Sequence, residues 1–198
     1  NNQAICFFKD HKGFMWIGTM SGLNRYDGYR FRIFRHDLRD TSSISDDFIS
    51  RILEGPEQKL WIETRNGFNV FDPLKEKFSR SPANALQAAG ISGNTITDIR
   101  KDIQGNYWFL MDRQVLYKYD VATKKSAVLF RIKNGSPPIA SFTFDKKGHC
   151  YIVYQGGNIQ LIDPNTGKIG ASYNGVIKIF GDESILYSVF VDNEGELW

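Results

Sequence analysis

The chain has 198 residues, 41% hydrophobic and 24% charged, with 25 Lys and Arg against 22 Asp and Glu for a net charge of +3. That composition excludes a disordered chain, and a domain of this length buries about 70% of its unfolded surface. No Lys/Arg stripe suggests nucleic acid or an anionic membrane, and no apolar run approaches the ~18 residues of a transmembrane helix.

The chain starts at Asn1 with neither an initiator Met nor a signal sequence, inside the strand-like run "AICFF", and so reads as a piece of something longer. A D-x-x-G turn follows at 10–13, where Asp accepts backbone N–H bonds and Gly takes positive φ. Next come a strand around Trp16, the turn "MSG", a third strand ending in Tyr26-Asp27, and "YRFRIF" (29–34). The polar connector "HDLRDTSSISDD" (36–47) leads into a second copy: "FISRIL" (48–53), a degraded turn "GPEQ" (55–58), a strand around Trp61, "RNG", and Phe71-Asp72. "PANALQAAG" (82–90) is the best helical candidate, worth one or two turns. The third copy runs through "TITDIR", "DIQG", Trp108, "MDRQ", Tyr119-Asp120 and "KSAVLF"; the fourth through "IASFTF", "DKKG", Tyr151, "YQGGN" and Ile162-Asp163. A fifth begins with "ILYSVFV" (185–191) and reaches Trp198.

The anchor aromatics Trp16, Trp61, Trp108, Tyr151 and Trp198 are 45, 47, 43 and 47 residues apart. A period of that size, filled by four antiparallel strands, predicts β-propeller blades. Residues 1–198 are therefore expected to form one partial, all-β propeller domain: about four blades plus the start of a fifth, in an incomplete ring. A β-sandwich fits the repeat less well.

The phrase D-x-x-G-x-x-W-I-G-T-x-x-G-L-x-x-Y-D resembles the two-component-regulator propeller repeat, which fills the extracytoplasmic sensor region of Bacteroidetes hybrid two-component systems. "GFMWIGTMSGLNRYDGYRF" (13–31) is similar to the first repeat of such sensors, and "SSISDDFISRIL" (42–53) to the connector between their first blades. The second copy departs from the pattern by lacking Asp and Gly, the third and fourth by lacking Gly-Thr after the anchor. The resemblance implies a periplasmic sensor of an inner-membrane receptor, with histidine kinase and DNA-binding parts elsewhere, detecting a glycan or oligosaccharide.

The residues themselves carry little chemistry. Indole faces suit sugars, but an aromatic at one register of every blade reads as a core anchor. Asp10, Asp102, Asp145 and Asp192 sit in separate hairpins and cannot pair as catalytic carboxylates. They read as turn residues, like Asp27, Asp72, Asp120 and Asp163. The turn resembles the Asp-box of sialidases only in outline. Cys150 occupies a core slot, a bridge to Cys6 would have to span three blades, and His11, His36 and His149 show no metal spacing. No catalytic residue, metal site or cofactor is expected.

Propeller geometry puts the blade-to-blade connectors and the loops between second and third strands on one face. The polar side chains offered there include Arg39, Asp46, Asp47 and Asn94, and the expected ligand-binding set is Arg39, Arg65, Asn66, Asp112, Arg113, Gln114, Gln155 and Asn158. Planar Arg and amide groups suit hydroxyl- or sulfate-bearing sugars. The expected function is thus a ligand-sensing propeller, with an oligosaccharide and the remaining blades of the same chain as partners. The alternative is an assembly surface that forms a homodimer without a small ligand; a glycan-cleaving propeller enzyme comes third.

Overall fold

A computed structural model describes residues 3–173 together with Asp192. The fifth copy, with its strand at 185–191 and its anchor Trp198, lies outside the described residues. The chain divides into two compact units, one ending at Ala88 and the other starting at Ala89. Each holds two four-stranded antiparallel sheets in which sequence neighbours pair. These are the expected blades: short β-rich runs joined by turns, each too small to bury both faces alone.

The first unit contains β1 (Ala4–Lys9), β2 (Met15–Thr19), β3 (Gly22–Tyr26) and β4 (Phe31–Phe34), then β5 (Ile49–Glu54), β6 (Leu60–Thr64), β7 (Gly67–Asp72) and β8 (Lys77–Ser79). It ends in α1 (Ala83–Ala88), the short helix expected at 82–90. Alternation turns Trp16 and Gly18 of β2 toward the second sheet, while Leu60 and Ile62 of β6 face back. These residues join Leu23, Ile44, Ile49, Ile52, Phe71 and Phe78 in one buried core. Trp16 meets Phe71 edge-on with ring centres 5.2 Å apart, and Phe34 meets Phe71 at 5.3 Å. Gly18 permits the close approach, since a Cβ there would lie 2.5 Å from Cys6 Sγ and 2.7 Å from Ile49 Cγ2.

The second unit repeats the plan with β9 (Ile96–Lys101), β10 (Tyr107–Met111), β11 (Val115–Asp120) and β12 (Lys125–Arg131), then β13 (Ile139–Phe144), β14 (Cys150–Tyr154), β15 (Ile159–Ile162) and β16 (Ile169–Tyr173). Trp108 packs with Phe142, Cys150, Ile152 and Ile162. Cys150 fills the core slot assigned to it, and burial pushes its thiol up to about 12. Both described cysteines are free thiols.

One device recurs at the first hairpin. Asp10 Oδ1 accepts the N–H groups of Lys12 and Phe14, each at 2.9 Å, while its Oδ2 accepts the indole N–H of Trp16 at 2.8 Å. Asp102 does the same for Gln104 N, Asn106 N and Trp108 Nε1 at 3.0, 2.8 and 2.9 Å. The Asp is thus more than the turn residue expected, because it also satisfies the donor of the buried anchor. Asp145 departs from this: its Oδ2 takes His149 Nδ1 at 2.7 Å and the Tyr151 hydroxyl at 3.3 Å. Tyr151 is only half-buried, unlike the three described Trp anchors, and His149 does not stand alone as its isolation in sequence suggested. Burial pushes the Asp145 carboxyl up, but hydrogen bonds from His149 and Lys147 and the charge of His149 more than reverse this, leaving it below its ordinary value.

In the second sheet Gly55 stands at the Asp position and Pro56–Gln58 form a tight turn in which Glu57 and Gln58 are both left-handed, at φ 59. The hairpin nevertheless closes, with Gly55 N donating to Lys59 O at 2.9 Å. Trp61 is 2% exposed, buried as expected.

Another bond repeats within each unit across its two sheets. Arg25, paired in register with Trp16, lies over that indole at 5.6 Å and reaches Glu76 Oε1 at 3.1 Å in the β7–β8 turn. Arg32 joins it on Glu76 Oε2. Lys118, paired with Trp108, lies 5.4 Å from that ring and donates to Pro164 O at 3.1 Å in the β15–β16 turn.

Candidate functional site

Within each unit the connectors do meet the second hairpins, as propeller geometry predicts. In the first unit Gly22 N donates to Asp47 O at 2.8 Å, and Asn66 Nδ2 donates to Ser45 O at 3.0 Å. In the second, Ile132 N donates to Gln114 O, Ile139 N to Arg113 O and Gln155 N to Pro138 O, at 3.0, 2.8 and 2.8 Å.

The expected side chains have different surroundings. Arg65 lies over the Phe48 ring at 4.5 Å and is exposed in the β6–β7 turn. Arg39 is exposed, and its N–H donates to Asp37 Oδ1 at 2.8 Å. Asp46 and Asp47 hold the connector, accepting Phe48 N and His36 N, each at 2.7 Å. Asp112 and Arg113 form the β10–β11 turn at φ 52 and 55, a left-handed pair that closes a tight hairpin. The Asp112 carboxylate accepts Thr95 N at 2.8 Å and Asn94 N at 3.1 Å. It ties the 89–95 connector to the hairpin. Gln114 and Arg113 are exposed, while Gln155 and Asn158 are half-buried in the β14–β15 loop.

Arg80 was not in the expected set. Its Nη2 donates to Asp37 O, Asp40 O and Ser43 Oγ, each at 2.8 Å, and its Nε to Ser43 O at 3.0 Å. His36 Nδ1 faces Ile44 O at 2.8 Å, and because a carbonyl only accepts, that nitrogen carries the proton. The long connector is therefore a shaped loop around a guanidinium, with Ile44 driven into the core. A lone Arg some 40 residues from its partners gives no sequence signal.

Beneath this loop Asn69, 0% exposed, accepts Ser45 N at 2.9 Å and donates to Ser45 Oγ at 2.8 Å. Thr64 Oγ1 lies 3.1 Å from the same hydroxyl. At the opposite ends of the blades the third-to-fourth-strand turns all open with Asp; the first spans four residues, 27–30, and the other three span six. Asp27, Asp72, Asp120 and Asp163 each accept backbone N–H bonds from residues two or three ahead. These bonds, led by Arg30 N on Asp27, Thr123 N on Asp120 and Asn165 N on Asp163, hold those three carboxyls below their ordinary values.

Comparison with known proteins adds a family and a fold. Residues 1–21 match the family described as two component regulator propeller. A 44-residue stretch is 41% identical to Histidine kinase P4 of Formosa agariphila, covering 22% of this chain and 3% of that protein. The extracellular domains of the hybrid two-component systems BT4673 and BT3049 from B. thetaiotaomicron superpose over 100% of this chain, with TM-scores of 0.65 and 0.56 at 23% and 16% identity. This chain spans 28% and 32% of their lengths. At those identities the likeness concerns the fold, and the fold is that of a β-propeller. The match to the two-component-regulator propeller repeat thus lies at the first 21 residues, and the sheets that follow share the propeller fold.

Proposed function

We propose that this propeller is the periplasmic ligand-sensing part of a hybrid two-component receptor, that it performs no chemistry itself, and that its ligand is a glycan or oligosaccharide. The carrying observation is the contrast between the two ends of the blades. One end opens its third-to-fourth-strand turn with an Asp in all four described sheets, and in three of them closes the same six-residue turn. The other varies, from the Arg80-centred connector to the Asp112 turn and the half-buried Asn158 loop. A repeated turn specifies a repeated shape, so recognition belongs at the varied end, where Arg65 and Arg113 are exposed in their own hairpins. The likeness to extracellular domains of hybrid two-component systems supports the receptor context.

The test is a thermal-shift screen of the protein against oligosaccharides. A ligand at 100 times its Kd adds about 2.7 kcal/mol. Arg65→Ala and Arg113→Ala are expected to weaken that gain while leaving the ligand-free melting temperature nearly unchanged, Arg65→Ala losing only its contact with the Phe48 ring. An undiminished response in both variants sinks the assignment.

A second reading, the propeller as an assembly surface, is favoured by the face of the first sheet that carries Phe7, Phe31 and Ile33, which are 65%, 60% and 55% exposed. Blade two buries Ile52 and Ile62 at the same register against blade one. The occupant that fits is therefore another blade, one of the same ring in the sensor reading and one of a second copy in this one. Concentration-independent sedimentation as a monomer rejects that copy.

A further inference from the structure

The chain has three Asn-Gly pairs, at 66–67, 134–135 and 174–175, the last outside the described residues. The side-chain amide carbon of an asparagine is within reach of the next residue's backbone nitrogen, and Gly, with no Cβ, screens that nitrogen least. Both described pairs lie in exposed turns, yet the fold holds them differently. Asn66 Nδ2 donates to Ser45 O at 3.0 Å, Asn66 N donates to Thr64 Oγ1 at 3.2 Å, and Gly67 pairs with Thr64 in the β6–β7 ladder. Attack there requires the amide to leave its partner and Gly67 to leave the ladder.

Asn134 and Gly135 are the central residues of a four-residue turn closed by Ser136 N donating to Lys133 O at 3.0 Å. Gly135 takes φ 83, and beyond its chain neighbours no described atom lies within 4 Å of the point its Cβ would occupy. Both residues are exposed, and among the described residues neither the Asn134 amide nor the Gly135 N–H has a hydrogen-bond partner. The connector is fixed on either side, by Ile132 N on Gln114 O at 3.0 Å and Ile139 N on Arg113 O at 2.8 Å. The turn between them can therefore change shape without opening β12 or β13.

We propose that Asn134-Gly135 is a modification site, at which the folded protein deamidates spontaneously to isoaspartate and aspartate while Asn66 stays intact. Gly135 N gives its proton to base and bonds to Asn134 Cγ, and the side-chain nitrogen leaves as ammonia, closing a succinimide ring. Water opens that ring at either carbonyl. Attack at the Asn134 main-chain carbonyl gives isoaspartate, with the chain routed through Cβ and Cγ, and attack at Cγ gives aspartate. One water is consumed and one ammonia released, with nothing oxidised or reduced. Either product carries a carboxyl that is ionised at neutral pH. The 132–138 connector thus gains a negative charge beside Lys133, and with isoaspartate one more main-chain carbon, at an exposed loop tip where such change is tolerated. This chemistry is independent of any ligand.

The experiment incubates the intact protein at neutral and mildly alkaline pH, folded and in denaturant, and follows the two peptides by mass spectrometry. In the folded protein the Asn134 peptide should convert, and faster at the higher pH, because the attacking nitrogen must lose its proton. Conversion at Asn66 should be at least about tenfold slower, as expected when attack waits on the opening of a hydrogen-bonded turn. In denaturant the two sites should convert at similar rates, which assigns the difference to the fold. Gly135→Ala should slow conversion at Asn134, and the comparison of wild type with denatured chain carries the test if that variant fails to fold. Equal rates at both sites in the folded protein overturn the proposal. So does an Asn134 that stays intact in the fold while the denatured chain converts, and so does an unchanged rate in Gly135→Ala, which would mean that water, rather than the Gly135 nitrogen, attacks the amide.

Discussion

The first hairpins of the first and second sheets bury the same aromatic by different means. In the first, one carboxylate gathers two turn N–H groups and the Trp16 indole. In the second no carboxylate stands at that position: Pro56 removes one donor from the turn, Lys59 N turns to Pro56 O at 3.2 Å, and the Gly55 backbone lies against Trp61. A Cβ at Gly55 would sit 2.1 Å from Trp61 Nε1, so the Asp cannot simply be restored there. The repeat therefore conserves a filled volume, and the polar device that accompanies it is exchangeable only as a set.

The largest test of this view is truncation of the anchors. Trp61→Ala and Trp108→Ala should each cost about 3–5 kcal/mol in chemical denaturation, because both lose a buried indole. A clear difference between them would show that the carboxylate, rather than the volume, dominates. Next in size is Asp102→Ala, expected to cost about 2–3 kcal/mol through lost charge-assisted bonds to a buried indole and two turn amides. A loss within error of zero would mean that the third sheet tolerates an unserved turn.

The fourth sheet sharpens the comparison by pH. Asp145 has its pKa lowered in the folded chain, so its contribution is present above the unfolded value of about 4 and lost as pH falls through the folded one. Asp145→Asn should leave a smaller stability loss between neutral pH and acid than the wild type shows. Parallel acid profiles for the two proteins would remove the carboxylate from the account.

The blades were legible because their determinants are local. Strand alternation, the D-x-x-G turns and the one-register aromatics all lie within a few residues of each other, and even the Asp–indole bond has a visible signature in the six-residue spacing of Asp10 and Trp16, or of Asp102 and Trp108. The Arg25–Glu76 contact, spanning 51 residues, and the Arg80 hub are invisible in one sequence because any exposed Arg or Glu looks alike there. The loop set was legible as a set of positions. Which members are spent on the fold was not: Asp112 is engaged in capping, whereas Asn158 Oδ1 is left over, and only coordinates separate the two.

The first strand of every sheet carries a register shift at one place, skipping Ile5, Ser50, Thr97 and Ala140 in turn. Such a bulge adds twist and bends the strand that bears it. In each described sheet that strand is also an edge, and an apolar run such as "AICFF", were it straight, is the kind of segment that recruits identical strands from other chains. A bent edge offers no straight row of N–H and C=O groups to a newcomer. A propeller built from many copies of one motif multiplies its edges with every blade, and a kink written into the motif multiplies the protection against aggregation at the same rate.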